Sequence, residues 1–248
     1  MPMDGAVLIT GSARRLGAAM ARAIVAAGDE VVLHAREPTD EIYRLASELN
    51  MPMVFGDLAA PGIPERMIAH AVKIAGPLAG LINNASRFEF DSPRSVTPES
   101  LDAHMLPNLA APVLLTKYFV EALTLERGVV INILDQKLSN LNPDFFSYTL
   151  SKAALAAATE MFAIALAPKI RVCGIAPGLT MISPLQTPER FEVAWRANPL
   201  QQGATPEDIA RAALLILQTP SMTGTTITVD GGEHLMRRSR DVGFLGRE

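Results

Sequence analysis

The chain has 248 residues, 49% of them hydrophobic, and a mean hydropathy of +0.21, which excludes a disordered or fibrous protein and supplies enough apolar side chains for a large core. Acidic residues outnumber Lys and Arg by 26 to 22 and the pI is near 5.6, so the chain lacks the positive charge that binds nucleic acids or anionic membranes. Its single cysteine, Cys173, cannot form an intrachain disulfide. Because Cys173 lies in an apolar run, we predict a buried thiol in a reducing compartment rather than a nucleophile.

The beginning of the chain carries Asp4 and a short apolar run, which is not the pattern of an export signal. The longest apolar stretch, residues 153–167, contains Thr159 and Glu160 and is shorter than the roughly 20 residues that span a bilayer. We interpret it as a buried helix. The sequence therefore predicts a cytoplasmic protein with neither a membrane nor a nucleic acid as partner.

Short apolar runs alternate with longer helical patterns along the whole chain. Because these runs are apolar at every position rather than at every second one, both faces of their sheet should be covered by helices. We predict a single α/β domain over residues 1–248, with a doubly wound, parallel, seven-stranded, Rossmann-like sheet and helices on both faces. Strands are predicted at residues 6–9, 31–33, 53–55, 78–82, 129–134, 170–175 and 226–229. Helices are predicted at residues 15–28 (with Gly28 at the end), 40–49, 64–75, 98–125, 147–166 and 206–217.

The least regular stretch is residues 181–205, which is rich in Pro, Gln and Thr. It follows the carboxyl end of the sixth strand, where open α/β sheets bind ligands, so we predict a substrate lid. An ordinary connecting loop is the alternative. Near the end of the chain, Arg237, Arg238 and Arg240 are predicted to form a solvated basic segment without a role.

The first strand leads directly into a turn with the sequence Thr-Gly-Ser-Ala-Arg-Arg-Leu-Gly, residues 10–17, and then into an Ala-rich helix. Gly11 allows a sharp turn, Gly17 allows the helix to pack closely on the sheet, and the helix N-terminus offers free N–H groups to a phosphate. Arg15 stands where such turns usually have a middle glycine. Two adjacent cations, Arg14 and Arg15, would repel the positive end of the helix dipole unless an anion lay between them. The turn, with Leu16 included, is therefore predicted to bind the phosphates of a dinucleotide.

The second strand is followed by His34, Ala35 and Arg36, with no carboxylate at the place where NAD enzymes hold the ribose hydroxyls. The guanidinium of Arg36 could pair instead with a 2′-phosphate. The sequence therefore favours NADP(H) over NAD(H), with His34 and Arg36 beside it. The alternative for Arg36 is a solvated loop charge.

Tyr148 and Lys152 lie four residues apart near the start of the helix that follows the fifth strand, so both should project into one crevice. A phenol with a pKa of about 10 is a poor acid or base at neutral pH, and a neighbouring ammonium should lower that value. We predict that Tyr148 is catalytic and that Lys152 tunes its pKa and holds the nicotinamide ribose.

Taken in order, the motifs of nearly the whole chain resemble the short-chain dehydrogenase/reductase family. The resemblance rests on the glycine turn, Tyr148 with Lys152, and several shorter matches. These matches are Asp57, Asn83-Asn84-Ala85-Ser86, Asn108, Pro177-Gly178 and Val229-Asp230-Gly231-Gly232.

The resemblance implies a position for each of these residues around the cofactor. Asp57 and Leu58 would line the adenine, Asn84 and Ala85 the adenosine ribose, and Pro177 and Gly178 the nicotinamide. Asn108 would anchor a water molecule that links Lys152 to solvent, and Pro107, just before it, removes a helix hydrogen bond and predicts a kink. The resemblance also implies a homotetramer assembled through the helices that carry Asn108 and Tyr148.

The chain departs from the usual family pattern at its active-site serine. Strand five ends at Asp135 instead, thirteen residues before Tyr148. An ionised Asp135 would oppose phenolate formation, so the pair makes most sense as a proton-donating relay in which Asp135 draws a proton from Tyr148 or from water. Reduction of a carbonyl needs no such group, whereas a C=N bond accepts hydride far better once its nitrogen is protonated.

Four departures coincide: Arg15 for glycine, Ser86 at the end of the Asn-Asn-Ala motif, Phe88 two residues later, and Asp135 for serine. Together they resemble the pteridine reductase and dihydromonapterin reductase branch. That resemblance implies that Arg15 and Ser86 contact both the cofactor phosphate and the pterin, that Phe88 stacks on the pterin, and that Asp135 and Tyr148 protonate the ring.

Three of these departures have structural alternatives: Phe88 as a surface loop residue, Ser86 as a turn cap and Asp135 as a cap of the neighbouring loop. The four histidines, His34, His70, His104 and His234, lack metal-ligand spacing, and no metal is predicted. We therefore predict an NADPH-dependent reductase of a pterin-like small molecule. The alternatives are a carbonyl reductase of the same family, acting on a ketone or 3-oxoacyl thioester, and a non-catalytic NADP(H)-sensing or scaffold protein.

Overall fold

A computed structural model describes residues 3–182 and 186–245 and contains one seven-stranded parallel sheet with the strand order β3-β2-β1-β4-β5-β6-β7. The order reverses direction between β1 and β4, which opens a crevice at the carboxyl edge of the sheet. The predicted strands agree with the structure to within two residues. The strands are β1 (Ala6–Ile9), β2 (Val31–Ala35), β3 (Met53–Phe55), β4 (Leu78–Asn83), β5 (Gly128–Ile133), β6 (Ile170–Pro177) and β7 (Thr226–Val229).

Eight α-helices are present in the described residues. The long helix predicted at residues 98–125 is two helices joined by a π-helical turn, Leu106–Ala110, and Pro107 lies within that turn, as its missing N–H predicts. The helices are α1 (Arg15–Ala26), α2 (Asp40–Leu49), α3 (Ile63–Ala75), α4 (Pro98–Met105), α5 (Ala111–Ala122), α6 (Phe146–Leu166), α7 (Pro188–Trp195) and α8 (Pro206–Gln218). Three 3₁₀ turns occur at Gln136–Ser139, Glu233–Leu235 and Val242–Phe244.

Two apolar cores cover the two faces of the sheet, as the continuous apolar strands predict. Neighbouring residues of β1 point to opposite cores: Val7 packs with α1, α2 and α8, whereas Leu8 packs with α3, α5 and α6. The edge strand β7 is the exception, because Thr226 and Thr228 are exposed and one of its faces is open. Cys173 is fully buried within β6, which confirms its predicted role as a core residue.

Helix α1 ends at the glycine that the sequence predicts. Gly28 has a φ of +93° and its N–H donates to the Val25 carbonyl, while the N–H of Asp29 donates to the Ile24 carbonyl. This pattern is a Schellman motif and confirms Gly28 as the C′ residue.

The prediction of an irregular stretch at residues 181–205 is wrong in part. The stretch contains α7, which begins at Pro188 after the Thr187 cap. Residues 183–185 of that predicted lid lie outside the described residues.

The start of α6 is held by a residue far away in sequence. The carboxylate of Asp91 accepts the backbone N–H of Ser147 at 2.9 Å, the Ser147 hydroxyl at 2.5 Å and the Ser100 hydroxyl at 3.1 Å. Burial opposes ionisation, but these hydrogen bonds outweigh it and lower the pKa of Asp91. Asp91 thus satisfies the first two free N–H groups of α6, that of Phe146 through its backbone carbonyl at 3.2 Å and that of Ser147 through its carboxylate, and it fixes the helix turn that carries Tyr148.

Helix α6 is also long and apolar enough, by length and composition, to cross a membrane. In the structure, however, eight of its residues are buried against protein, and Tyr148 and Lys152 are among them. The predicted helix at residues 153–167 is present, but its predicted burial is wrong in part, because only Leu155, Thr159 and Ala163 of this stretch are buried and Met161 and Ile164 are exposed.

We expect Asp91→Ala to lower the free energy of unfolding by about 1–3 kcal/mol, because hydrogen bonds to a charged group are lost and the Ser147 N–H is left buried without a partner. Urea unfolding followed by circular dichroism measures this change. Asp102→Ala, at an exposed position of α4, is the matched control and should unfold like the unmodified protein. Equal stability of the two variants would contradict the assigned role of Asp91.

Candidate active site

The side chains of Asp135 and Tyr148 meet at the carboxyl end of β5. The Tyr148 hydroxyl donates to Asp135 Oδ2 at 2.7 Å, and the backbone N–H of Lys137 donates to Asp135 Oδ1 at 2.8 Å. The second contact makes Asp135 the cap of the 3₁₀ turn Gln136–Ser139. Asp135 therefore caps the neighbouring loop and contacts Tyr148, so the structural alternative for this residue and its predicted contact both hold.

Burial controls the ionisation of this pair. It raises the pKa of the Asp135 carboxyl, although hydrogen bonds from the Lys137 N–H and the Tyr148 hydroxyl oppose the shift. Burial, followed by the charge of Asp135, raises the pKa of Tyr148 well above its usual value. Both shifts favour the protonated forms of the two groups.

Lys152 lies beside this pair but does not lower the pKa of Tyr148 as predicted. Its Nζ donates to the Ile133 carbonyl at 2.7 Å and is 5.7 Å from the centre of the Tyr148 ring. Burial lowers the pKa of Lys152 to about 8, against the opposing effect of Asp135. The predicted lowering of the Tyr148 pKa is therefore wrong for this structure, because burial and Asp135 outweigh the ammonium.

The glycine turn after β1 has the geometry of an anion cradle. Gly11 has a φ of +63°, and a Cβ on Gly17 would lie 2.4 Å from the Gly11 carbonyl oxygen, so both positions require glycine. Helix α1 begins behind Arg14 with no side-chain cap and no acidic residue in its first turn, so its N–H groups remain available to an anion. Leu16, in that first turn, packs against the core.

Arg15 adopts the backbone conformation that explains why glycine is usual at its position. Its φ is +56°, in the left-handed region that costs a residue with a Cβ about 1–2 kcal/mol. Its guanidinium crosses to the segment after β6, where Nη1 donates to the Ile182 carbonyl at 2.9 Å. Burial and the neighbouring Arg14 lower the pKa of Arg15, which is the electrostatic setting of an anion site.

His34 supports the turn from below. It accepts the Gly11 N–H on Nδ1 at 3.0 Å, and its Nε2 lies 3.0 Å from the Gly56 carbonyl, so the ring is neutral with its proton on Nε2. Burial lowers the pKa of His34 to about 4. Since both ring nitrogens are engaged by the backbone, the predicted direct contact between His34 and the cofactor is replaced by a supporting role.

Other predicted cofactor residues lie along the carboxyl edge of β2 and β3. Arg36 is exposed and pairs with Glu37 at 3.1 Å. A carboxylate is therefore present directly after the residues 34–36, where the sequence has none. Asp57 accepts the Ala59 N–H at 3.0 Å, and Leu58 is buried in the core beneath it.

The segment after β4 is tied to the glycine turn. Asn84 Nδ2 donates to the carbonyls of Thr10 and Gly11 at 2.8 and 3.1 Å, and the N–H groups of Asn84 and Ala85 donate to the Thr10 hydroxyl. Asn84 and Ala85 thus hold the two edges of the crevice together. Ser86 follows them and is exposed at the rim.

Phe88 lies directly beside Tyr148. Its ring meets the Tyr148 ring edge-on, with centroids 4.7 Å apart, and it stacks on Phe145 at 4.2 Å with an interplanar angle of 17°. Phe88 is 44% exposed, so part of its ring is accessible to a planar ligand. The sequence did not single out Phe145, which has a left-handed backbone at the start of α6. The Phe-Phe pair just before Ser147 is the signal that could have indicated it.

Asn108 occupies the π-helical turn and is fully buried. Its Oδ1 accepts the Arg87 N–H at 2.7 Å, and its Nδ2 donates to the Arg87 carbonyl and to the Ser151 hydroxyl at 2.9 and 3.0 Å. Asn108 therefore fixes the segment that carries Phe88. Its predicted role as a water anchor for Lys152 stays a prediction.

Pro177 ends β6, and the Gly178 N–H donates to the Val229 carbonyl at 2.9 Å. A Cβ on Gly178 would lie 2.6 Å from the Asp230 Cβ, so only glycine fits there. Glu233, which sequence reasoning missed, is buried beneath this segment and accepts the Leu179 N–H at 3.4 Å. Burial raises the pKa of Glu233 to about 7.

The predicted solvated basic segment is wrong in part: Arg237 is exposed, but Arg238 and Arg240 make contacts within the fold. Arg240 binds both carboxylate oxygens of the buried Asp144 at 2.8 and 3.0 Å, and Arg238 donates to the Ala197 carbonyl. Only a structure could join these pairs, because Arg240 and Asp144 are 96 residues apart.

Comparison with known proteins places the geometry in context. A family model described as enoyl-(acyl carrier protein) reductase matches residues 11–234. The structure of FolM alternative dihydrofolate reductase 1 from Brucella canis, complexed with NADP, has a TM-score of 0.91 and 38% identity and covers 96% of this chain and 97% of its own. An uncharacterized oxidoreductase of Mycobacterium tuberculosis is 32% identical over 243 residues, 92% of each protein. L-xylulose reductase of Mesocricetus auratus is 30% identical over 235 residues, 91% of this chain and 94% of its own.

The buried His34 generates a pH prediction. Its folded pKa of about 4 lies below the usual 6.5, so the unfolded chain binds a proton that the folded protein does not, and stability must fall as the pH drops below 6.5. Between pH 7 and pH 5 this loss amounts to about 2 kcal/mol. Urea unfolding at the two pH values should show a loss that is smaller by this amount in His34→Gln. The control His70→Gln, at an exposed site, should behave like the unmodified protein, and an unchanged loss in His34→Gln would contradict the assignment.

Proposed function

Since this chain belongs to the short-chain dehydrogenase/reductase family, we propose that it is an NADPH-dependent reductase that converts a dihydropterin to a tetrahydropterin. One observation carries the proposal: the Tyr148 hydroxyl donates to the Asp135 carboxyl group at 2.7 Å, beside the partly exposed ring of Phe88. A flat nitrogen heterocycle needs both an aromatic face and a nearby proton source. A carbonyl substrate needs neither the aromatic platform nor Asp135.

The residues present fit a phosphorylated dinucleotide. Two glycines, Gly11 and Gly17, keep the turn after β1 clear, and the uncapped start of α1 lies beside the cations of Arg14 and Arg15. Arg36 would hold the 2′-phosphate, exchanging its exposed and therefore weak pair with Glu37 for a doubly charged partner. The FolM structure from Brucella canis, which contains NADP, supports this choice of cofactor.

The other proposed cofactor contacts follow the edge of the crevice. Asp57 and Leu58 would lie along the adenine, Asn84 and Ala85 along its ribose, and Ser86 at the phosphates and the pterin. Pro177 and Gly178 would flank the nicotinamide, with Lys152 on its ribose. Bound there, the reduced nicotinamide supplies the hydride.

Reduction of a C=N bond adds one hydride to carbon and one proton to nitrogen, and the chain's own groups supply the proton. We assign that step to Asp135, because burial raises the pKa of its carboxyl and makes it a donor. The Tyr148 hydroxyl stays protonated, keeps Asp135 oriented and can return a proton to it from solvent. The Lys152 ammonium, with a pKa of about 8, stabilises the negative charge left on the pair.

The assembly and location that we propose are those expected from the sequence. The exposed apolar side chains of α5 and α6, which include Leu114, Leu150, Met161 and Ile164, support a homotetramer assembled through these helices. The buried thiol of Cys173 agrees with a reducing cytoplasm. The segment from Met181 through α7 to Thr205 is proposed as the substrate lid, with the Arg15–Ile182 contact at its hinge side.

A carbonyl reductase is the second candidate function, favoured by the 30% identity to L-xylulose reductase. Oxidation of NADPH with dihydrobiopterin or dihydromonapterin, compared with a panel of ketones, sugars and 3-oxoacyl thioesters, separates the two. Turnover of carbonyl substrates alone would overturn the pterin proposal. Absence of turnover with any of them, together with tight NADPH binding, would favour a sensing or scaffold protein.

We expect Asp135→Asn and Tyr148→Phe each to lower kcat for the dihydropterin by at least about 10²-fold, the scale of a lost acid–base group, while the Kd for NADPH stays nearly unchanged. In the unmodified enzyme kcat/KM should fall as the pH rises, because Asp135 loses its proton. This pH dependence should be absent in Asp135→Asn. Full activity in either variant would contradict the assignment.

We expect Arg36→Ala to weaken NADPH binding by about 10- to 100-fold through the loss of a charge-assisted contact and to leave NADH binding unchanged. Fluorescence titration with both cofactors measures the difference. Arg44→Ala, an exposed arginine of α2, is the matched control and should not alter either affinity. An equal loss for NADPH and NADH would contradict the role of Arg36.

A further inference from the structure

Residues 240–244, which we call the C-terminal strap, contact the loop between β5 and α6 that begins with Asp135. The carboxylate of Asp144, buried just before α6, pairs with Arg240 and also accepts the Asp241 backbone N–H at 2.8 Å. Asp241 in turn caps the 3₁₀ turn Val242–Phe244 by accepting the Gly243 N–H at 2.9 Å. The strap is thus held by a buried carboxylate and by its own cap.

One side chain links the strap to Asp135. Lys137 is only 4% exposed, and its Nζ donates to Asp241 Oδ2 at 2.8 Å and to Asn142 Oδ1 at 2.6 Å. The backbone N–H of the same lysine is the donor that clamps Asp135 Oδ1. Lys137 therefore connects Asp241 to the proposed proton donor, through its ammonium on one side and its backbone N–H on the other. Lys137 and Asp241 are 104 residues apart in sequence.

The strap also extends the aromatic platform. The Phe244 ring lies 5.4 Å from Phe90 and 6.1 Å from Phe145, which stacks on Phe88. Arg240 covers the Phe244 ring at 4.8 Å. Anchoring the strap through Asp241 therefore also holds the Phe244 ring against Phe90 and Phe145.

The charges around Asp135 show what Asp241 must balance. Asp135 is faced by Tyr148 and Lys152 of α6, by the backbone N–H of Lys137 in its own 3₁₀ turn, by Asp241 of the strap and by Glu233 of the turn Glu233–Leu235. The Lys137 ammonium itself is held by Asp241. A buried ammonium without a partner is strongly unfavourable and would draw the Asp135 carboxyl toward its ionised form.

We propose that Asp241 is a positioning residue for Asp135: by pairing with Lys137 it cancels the lysine charge at the proton donor and anchors the strap that carries Phe244. The proposal rests on the proposed function, in which Asp135 must hold a proton. Besides burial and its hydrogen-bond partners, the charge of Asp241 acts on Asp135 and raises its pKa. The ion pair thereby favours the protonated carboxyl.

Two charge-removing variants test the proposal because they should act in opposite directions. Asp241→Asn leaves Lys137 unpaired, so the pH at which kcat/KM falls should shift downward by about one unit, whereas Lys137→Met should shift it upward. The double variant Lys137→Met/Asp241→Asn should return the profile to within a few tenths of a unit of the unmodified enzyme. Asp241→Glu keeps the charge and should keep the profile. Glu121→Gln, which breaks an exposed pair on α5, is the control with an unchanged profile.

A merely structural role for Asp241 predicts lower stability with the same pH profile in every variant, and that result would overturn the proposal. Should Asp241→Asn fail to fold, Lys137→Met alone decides, because an unshifted profile in it contradicts the proposal. Carboxyl ¹³C NMR titration, with Asp135 assigned through Asp135→Asn, follows the same shifts without any substrate. If the unmodified enzyme does not reduce dihydropterins, the proposed function fails while the NMR titration still tests the role of Asp241.

Discussion

The hydrogen bond between the Tyr148 hydroxyl and Asp135 is the interaction on which the candidate site depends. It places two groups whose pKa values are both raised within 2.7 Å of each other. A serine at position 135 would leave Tyr148 free to respond to Lys152. With a carboxyl group there, the Tyr148 hydroxyl donates to Asp135 and orients it. In the proposed reaction, this exchange makes the carboxyl group rather than the tyrosine the proton donor.

The fold creates this encounter by aligning the carboxyl ends of parallel strands. Asp135 follows β5, Asn84 and Phe88 follow β4, and Gly178 follows β6, so three segments distant in sequence meet at one edge. Around them, buried polar contacts replace regular structure. His34 supports the glycine turn, Asn108 holds the segment of Phe88, and Asp91 holds the first turn of α6. The precision of the site comes from these supports rather than from the sheet alone.

Much of this could be predicted from the sequence, because the signals are local. Continuous apolar runs locate the strands, Gly28 closes α1, and the spacing of Tyr148 and Lys152 places both on one helix face. The remainder depends on distance and burial. The pKa of Tyr148 moves opposite to the direction that its lysine neighbour predicts, because burial and Asp135 dominate. Likewise, the pairing of Lys137 with Asp241 leaves no trace in either local sequence.

The capping of α6 by Asp91 also bears on how the chain acquires its site during folding. The helix turn that presents Tyr148 is closed by a residue 56 positions earlier, so it gains its order only after that long loop has been drawn together. Local helix formation along residues 153–166 does not require this closure. The first turn of α6, which carries Tyr148, is therefore ordered only once the segment after β4 is in place. A partly folded chain without that contact would lack the Tyr148–Asp135 pair in its final geometry.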